Sequence, residues 1–148
     1  MKISTKGRYA LAAMISLAQQ ESISGVETLA ALSGRLGLSK LYLEQVFSLL
    51  RRAELVLSVK GAQGGYRLAR GARDITGWDI LSAVENSLFD QADATVADRS
   101  PGIERAMRDG VFTPLDLAVR TALEAVSLDD LAEEANLPAA DDGYIYII

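Results

Sequence analysis

Ser39-Lys40-Leu41-Tyr42-Leu43-Glu44-Gln45-Val46-Phe47-Ser48-Leu49-Leu50-Arg51-Arg52 runs, after two residues, into Leu55-Val56-Leu57-Ser58-Val59, then Lys60-Gly61-Ala62-Gln63-Gly64-Gly65, then Tyr66-Arg67-Leu68-Ala69. In the first part Leu43, Val46, Phe47 and Leu50 recur at helical spacing behind Ser39, a residue suited to cap a helix, so a helix is expected to about Ala53. The next part is β-branched and apolar, then glycine-rich, then a second short strand. That order is a helix followed by a β-hairpin, the wing of a winged helix-turn-helix. The face of the helix opposite its apolar stripe carries Ser39, Lys40, Tyr42, Glu44 and Gln45, polar groups clustered near its N-terminus. Gln45 can donate and accept at a base edge, and Glu44 can accept from a cytosine amine. Lys40, Arg51 and Arg52 suit phosphates. Gly61, Gly64 and Gly65 let the tip turn tightly and approach a phosphate or the minor-groove floor, with Lys60 and Arg67 beside it. A solvated helix face and an ordinary hairpin loop are the plainer readings of the same residues.

Upstream, Thr5 can cap a first helix from about Lys6 to Gln20, with Tyr9, Ala10, Ala13, Met14, Leu17 and Ala18 in one stripe. Thr28 starts a short helix over Leu29–Leu32, and residues 34–37 read as a turn. Downstream, Ile75-Thr76-Gly77-Trp78 opens a fourth helix to about Asn86, whose Trp78, Ile80, Leu81 and Val84 are expected to close the N-terminal core. Residues 103–111 can form a short helix. Thr113-Pro114 then reads as a helix start, and Ser127 caps a last helix from Leu128 to about Asn136. The expected fold is mainly α with a small β-hairpin wing. It divides into a winged helix-turn-helix domain (1–87), a linker (88–100), a helical dimerisation arm (101–137) and a tail (138–148).

Charge supports a polyanion partner. The 148 residues have a net charge of −5, yet residues 1–76 carry eleven basic and five acidic side chains while the remainder carries four and fifteen. A basic half joined to an acidic half presents one face to nucleic acid. There is no Cys and no His. Disulfides, thiolate or imidazole metal sites and Cys or His catalysis are thereby excluded. No stretch is long and apolar enough to span a membrane, and no signal segment is evident, so a cytoplasmic protein is expected. An enzyme is not expected, because no nucleophile–base or paired-carboxylate constellation stands out and residues 61–65 lack the ending of a phosphate-binding loop.

Lys2-Ile3-Ser4-Thr5-Lys6-Gly7-Arg8-Tyr9-Ala10, Tyr42-Leu43-Glu44-Gln45 and Val59–Tyr66 together make the chain resemble the Rrf2 (Rrf-two) family of bacterial regulators. The resemblance implies a homodimer crossed through a C-terminal helix, two wings and a pseudo-palindromic operator in double-stranded DNA. It implies base reading by Ser39, Tyr42, Glu44 and Gln45 and wing contacts from the Lys60–Gly65 tip, including Lys60, Gly61, Gln63, Gly64 and Gly65, beside which Arg67 adds its charge. Lys2, Lys6, Arg8, Lys40, Arg51 and Arg52 complete the expected DNA-binding set. Cluster-binding members carry three cysteines in the segment equivalent to 89–104. This chain carries none, which excludes a cysteine-ligated cluster and thiol sensing, so no cofactor is expected. Pro114 also departs from an uninterrupted dimer helix, as a break or a kink. The nearest type is then the cysteine-metabolism repressor, which resembles this chain in its aromatic-aliphatic C-terminus. By that resemblance Tyr146, Ile147 and Ile148 would dock in O-acetylserine thiol-lyase, which accepts an amino-acid carboxylate. Two alternatives stand beside this: the tail packs on the dimer partner, or the whole chain is an interaction module for that enzyme.

Overall fold

A computed structural model describes residues 1–138 apart from Ser22, Ser24 and Gln63. Helix α1 (Thr5–Gln20), α2 (Leu29–Leu36) and α3 (Lys40–Arg52) precede a hairpin of β1 (Val56–Val59) and β2 (Gly65–Leu68). A 3₁₀ turn (Ala72–Asp74) leads to α4 (Gly77–Val84). Then follow an irregular stretch, α5 (Pro101–Met107), a π-helical turn (Arg108–Phe112), α6 (Thr113–Glu124) and α7 (Leu128–Asn136).

The first three helices start where their caps dictate. Ser4, Thr28 and Ser39 accept the N–H of Gly7, Ala31 and Tyr42 respectively, so Ser4, one residue before the expected Thr5, caps α1. Helix α2 is a full turn longer than its opening residues predict: Gly34 lies inside it, and Gly37, at φ 69°, ends it in the left-handed conformation. Ala10, Ala13, Met14 and Leu17 of α1 meet Leu32, Leu43, Val46, Phe47 and Leu50 in one core. Burying such side chains is worth roughly 1.5–3 kcal/mol each. Leu55, Val56, Leu68, Ile75, Ile80 and Val84 complete it.

The hairpin is antiparallel, with Val56 opposite Leu68 and Val59 opposite Gly65. Glu27 adds a rung on its open edge: its N–H donates to the Tyr66 carbonyl at 2.9 Å and its carbonyl accepts the Tyr66 N–H at 2.8 Å. The wing base is thus anchored to the approach to α2.

Three expectations change. Trp78 does not close the N-terminal core. Half-buried, its ring lies 4.5 Å from that of Phe89, with the Arg120 guanidinium 4.8 Å above it. It therefore joins α4 to α6. Pro114 neither ends nor starts a helix. Backbone from Met107 to Thr113 stays right-handed, and the Thr113 N–H reaches back to the Arg108 carbonyl, five residues away. The widened turn just before the proline carries the helix through, so residues 101–124 form one long helix. Third, α7 does not extend the arm. Leu128 is buried in the winged-domain core, and Gln19 of α1 donates to Asn136 at 2.9 Å. Among the described residues, no helix is long and apolar enough to cross a membrane.

Candidate nucleic-acid interface

Helix α3 buries Leu43, Val46, Phe47 and Leu50, which turns its opposite face to solvent. Ser39, Lys40, Leu41, Glu44, Gln45, Ser48, Arg51 and Arg52 are exposed. Tyr42 is only half-exposed, because its ring stands edge-on to Tyr9 at 5.0 Å. The ring thus also braces α3 against α1. Ser39 Oγ is engaged as the cap, accepting the Tyr42 N–H at 3.3 Å. Composition alone passed over Leu41. At 68% exposure beside Glu44 and Gln45, its apolar side chain lies open on the same face.

The wing lies alongside the C-terminal end of α3. Arg51, Glu54, Lys60 and Arg67 border one shared groove of about 790 Å³. Lys60 and Gly61 are exposed, and Gly61 holds φ 126°, backbone that only glycine adopts readily. Gly64 and Gly65 are small for a different reason. A side chain on Gly65 would strike the Glu27 backbone, and one on Gly64 would strike the Val59 and Gly61 carbonyls. Both glycines serve packing within the wing. Gln63 lies outside the described residues, as do Tyr146, Ile147 and Ile148.

The basic charges sort into two groups. Arg35 pairs with the buried Glu27 at 3.4 Å and donates to Ser16; Arg70 pairs with Asp79 at 3.1 Å; Arg73 pairs with Asp129 at 3.4 Å. These three are structural. Lys2, Lys6, Arg8, Lys40, Arg51, Arg52, Lys60 and Arg67 have no ion-pair partner among the described residues. All but the half-buried Lys6 are exposed. Lys40, Arg51 and Arg52 lie on α3 itself, Lys60 and Arg67 border the groove that Arg51 shares with the wing, and Lys2, Lys6 and Arg8 lie at or just before the start of α1. An exposed helix face with hydrogen-bonding side chains and unpaired cations beside it has the chemistry that base edges and phosphates require.

A family model described as "Rrf2: Iron-dependent Transcriptional regulator" matches residues 3–134. The chain is 37% identical over 137 residues to the HTH-type transcriptional regulator IscR of Photobacterium profundum, covering 93% of this chain and 78% of that one. It is 38% identical over 143 residues to IscR of Cereibacter sphaeroides, covering 93% and 91%. Among solved structures it is similar to T. potens IscR, with TM-score 0.73, 38% identity and coverage of 99% and 96%. It is equally similar to CymR, the global cysteine regulator of B. subtilis, with TM-score 0.74, 36% identity and coverage of 90% and 98%.

The iron in that family description meets no suitable donors here. The sequence offers neither thiolate nor imidazole, and among the described residues no group of three or more acids is placed to hold a metal ion. The Glu104 carboxylate, on α5, is already occupied by the N–H groups of Thr95 and Val96 from the segment before that helix. The residues present do not fit a cysteine-ligated iron–sulphur cluster.

Proposed function

The chain belongs to the Rrf2 family of DNA-binding transcriptional regulators, and on that premise we propose that it is a homodimeric, sequence-specific repressor working without an iron–sulphur cluster. The observation that carries this is the α3 face: Leu41, Glu44 and Gln45 exposed in the centre, unpaired Lys and Arg around them. Helix α3 enters the major groove, the wing follows the flanking backbone, and Lys2, Lys6 and Arg8 add phosphate contacts.

Dimerisation is supported by the long helix. None of its residues is buried, and Ile103, Val111, Leu115 and Leu117 stand 56–63% exposed. Apolar side chains spread along one such helix call for cover, and a second copy of the same helix provides it symmetrically. Two α3 helices then address half-sites of a pseudo-palindrome. Likeness to CymR, a global cysteine regulator, together with the lack of cluster ligands, supports control of cysteine and sulphur metabolism, and the tail ending in Tyr146, Ile147 and Ile148 supports O-acetylserine thiol-lyase as the partner enzyme.

Selection of binding sequences with the full chain, followed by gel shifts across a salt series, tests the reading. A pseudo-palindrome is expected, with log affinity falling by about 0.9 per phosphate contact for each unit of log salt. Binding indifferent to sequence and salt overturns it. Sedimentation of the wild type and Leu115→Glu tests the dimer; identical monomers would refute it. Capture of thiol-lyase by the full chain but not by one lacking Ile147–Ile148 tests the partner, and equal capture rejects the tail as anchor.

A further inference from the structure

Glu85 follows α4, yet its carboxylate reaches the start of α1. Its Oε1 accepts both the Ser4 backbone N–H, at 3.0 Å, and the Ser4 hydroxyl, at 2.8 Å. Ser4 Oγ in turn accepts the Gly7 N–H at 3.0 Å. A Cβ on Gly7 would collide with that same Oε1. The first turn of α1 has no acid of its own. Glu85, 81 residues away in sequence, supplies the negative charge that the unsatisfied N–H groups and positive end of that helix favour.

The clamp sits among Lys2, Lys6 and Arg8. Lys2 precedes the clamped Ser4, whereas Lys6 and Arg8 occupy the turn it caps. Met1 borders a cavity shared with Trp78 and Phe89.

We propose, resting on the DNA-binding reading above, that Glu85 is a positioning residue for DNA recognition: it touches no DNA, but fixes Lys2, Lys6 and Arg8 against the phosphates. Without it the N-terminal residues fray and the three cations are no longer held where phosphates lie, so their contacts are lost from the complex.

Salt-dependent DNA binding of the full chain tests this in a cycle. Glu85→Gln keeps a carbonyl oxygen where both bonds converge but loses the charge, so it should lose much less affinity and slope than removal of the acceptor does. Glu85→Met removes the acceptor at similar volume. It should flatten the slope of log affinity against log salt by about two to three units, with affinity at moderate salt falling roughly tenfold or more. Placed in a Lys2→Ala, Lys6→Ala, Arg8→Ala background, Glu85→Met should have no further effect. Gly7→Ala, which displaces Oε1, should behave like Glu85→Met, and it replaces that variant if thermal melting shows Glu85→Met unfolded. An unchanged slope in the folded variants, or an equal loss in the triple-alanine background, overturns the assignment. Salt-independent binding by the wild type would overturn the DNA-binding reading itself.

Discussion

The Glu104 carboxylate on α5 accepts the Val96 backbone N–H at 2.7 Å and the Thr95 N–H at 3.1 Å. A carboxylate thus ties the irregular 88–97 stretch to the long helix, next to the Phe89–Trp78–Arg120 stack. Hydrogen bonds to a charged group contribute roughly 1.5–3 kcal/mol. Glu104→Ala is therefore expected to speed amide exchange at Thr95 and Val96 by about ten- to a hundredfold. Trp78 is the sole tryptophan, so its emission reports the same loosening directly. Unaltered exchange and emission would show that the stretch is held by other contacts.

Two kinds of DNA contact should separate by mutation. Glu44→Ala and Leu41→Ala remove base-edge groups, and each should relax discrimination at one base pair by about 1–3 kcal/mol, the leucine at a thymine. Lys60→Ala should weaken every sequence alike and reduce the salt slope by about one. Sequence selection repeated with each variant checks this. A uniform loss for Leu41→Ala would place that side chain off the base edges.

Glu54 is the only described non-glycine residue at positive φ, 62°, in the turn from α3 to β1. Left-handed backbone costs a side-chain-bearing residue about 1–2 kcal/mol, part of which glycine gives back through greater unfolded-state freedom. Glu54→Gly should stabilise the protein by roughly 0.5–1 kcal/mol, which is a rise of a few degrees in melting temperature. It also removes an acid from the groove bordered by Arg51, Lys60 and Arg67, so DNA affinity should rise with it. A lower melting temperature would mean that the Glu54 side chain repays the strain.

What was legible in the sequence was local. Periodicity in α3, the glycine-rich tip and the capping residues are short-range signals, so α3 and the wing stand almost where they are expected. Lys40, Arg51, Arg52, Lys60 and Arg67 are legible because they lie within or next to those elements. Partnerships across the chain were not legible. Gly65 reads as a DNA-approach glycine but exists for the Glu27 backbone. Trp78 reads as core because it is large and apolar, although its neighbours Phe89 and Arg120 come from distant segments. Arg35, Arg70 and Arg73 add to the basic count yet pair internally. Leu41 carries no hydrogen-bonding group, so the polar pattern of the face does not single it out.

Helix α7 gives a prediction about pH. Asp130 is held below the usual carboxylate range, chiefly because it accepts the Ser127 backbone N–H at 2.9 Å and also bonds the Ser127 hydroxyl; slight desolvation opposes this. In return Ser127 Oγ accepts the Asp130 N–H at 3.0 Å, closing a capping box. Because the folded-state value is depressed, the unfolded chain takes up the proton first as pH falls. The stabilisation is therefore complete above the ordinary aspartate value of about 4 and is lost progressively below it, through the lowered folded value. Asp130→Asn cannot titrate, so its melting temperature should lie below that of wild type near neutrality, and the gap should close as pH drops from about 5 towards 3. Leu128, the residue directly after the Ser127 cap, is buried, and its N–H donates to the Ile75 carbonyl at 2.7 Å, so the cap adjoins the contact that holds α7 to the winged domain. Melting curves of both proteins across that pH range decide the matter: a gap that stays constant would assign the box no ionic contribution.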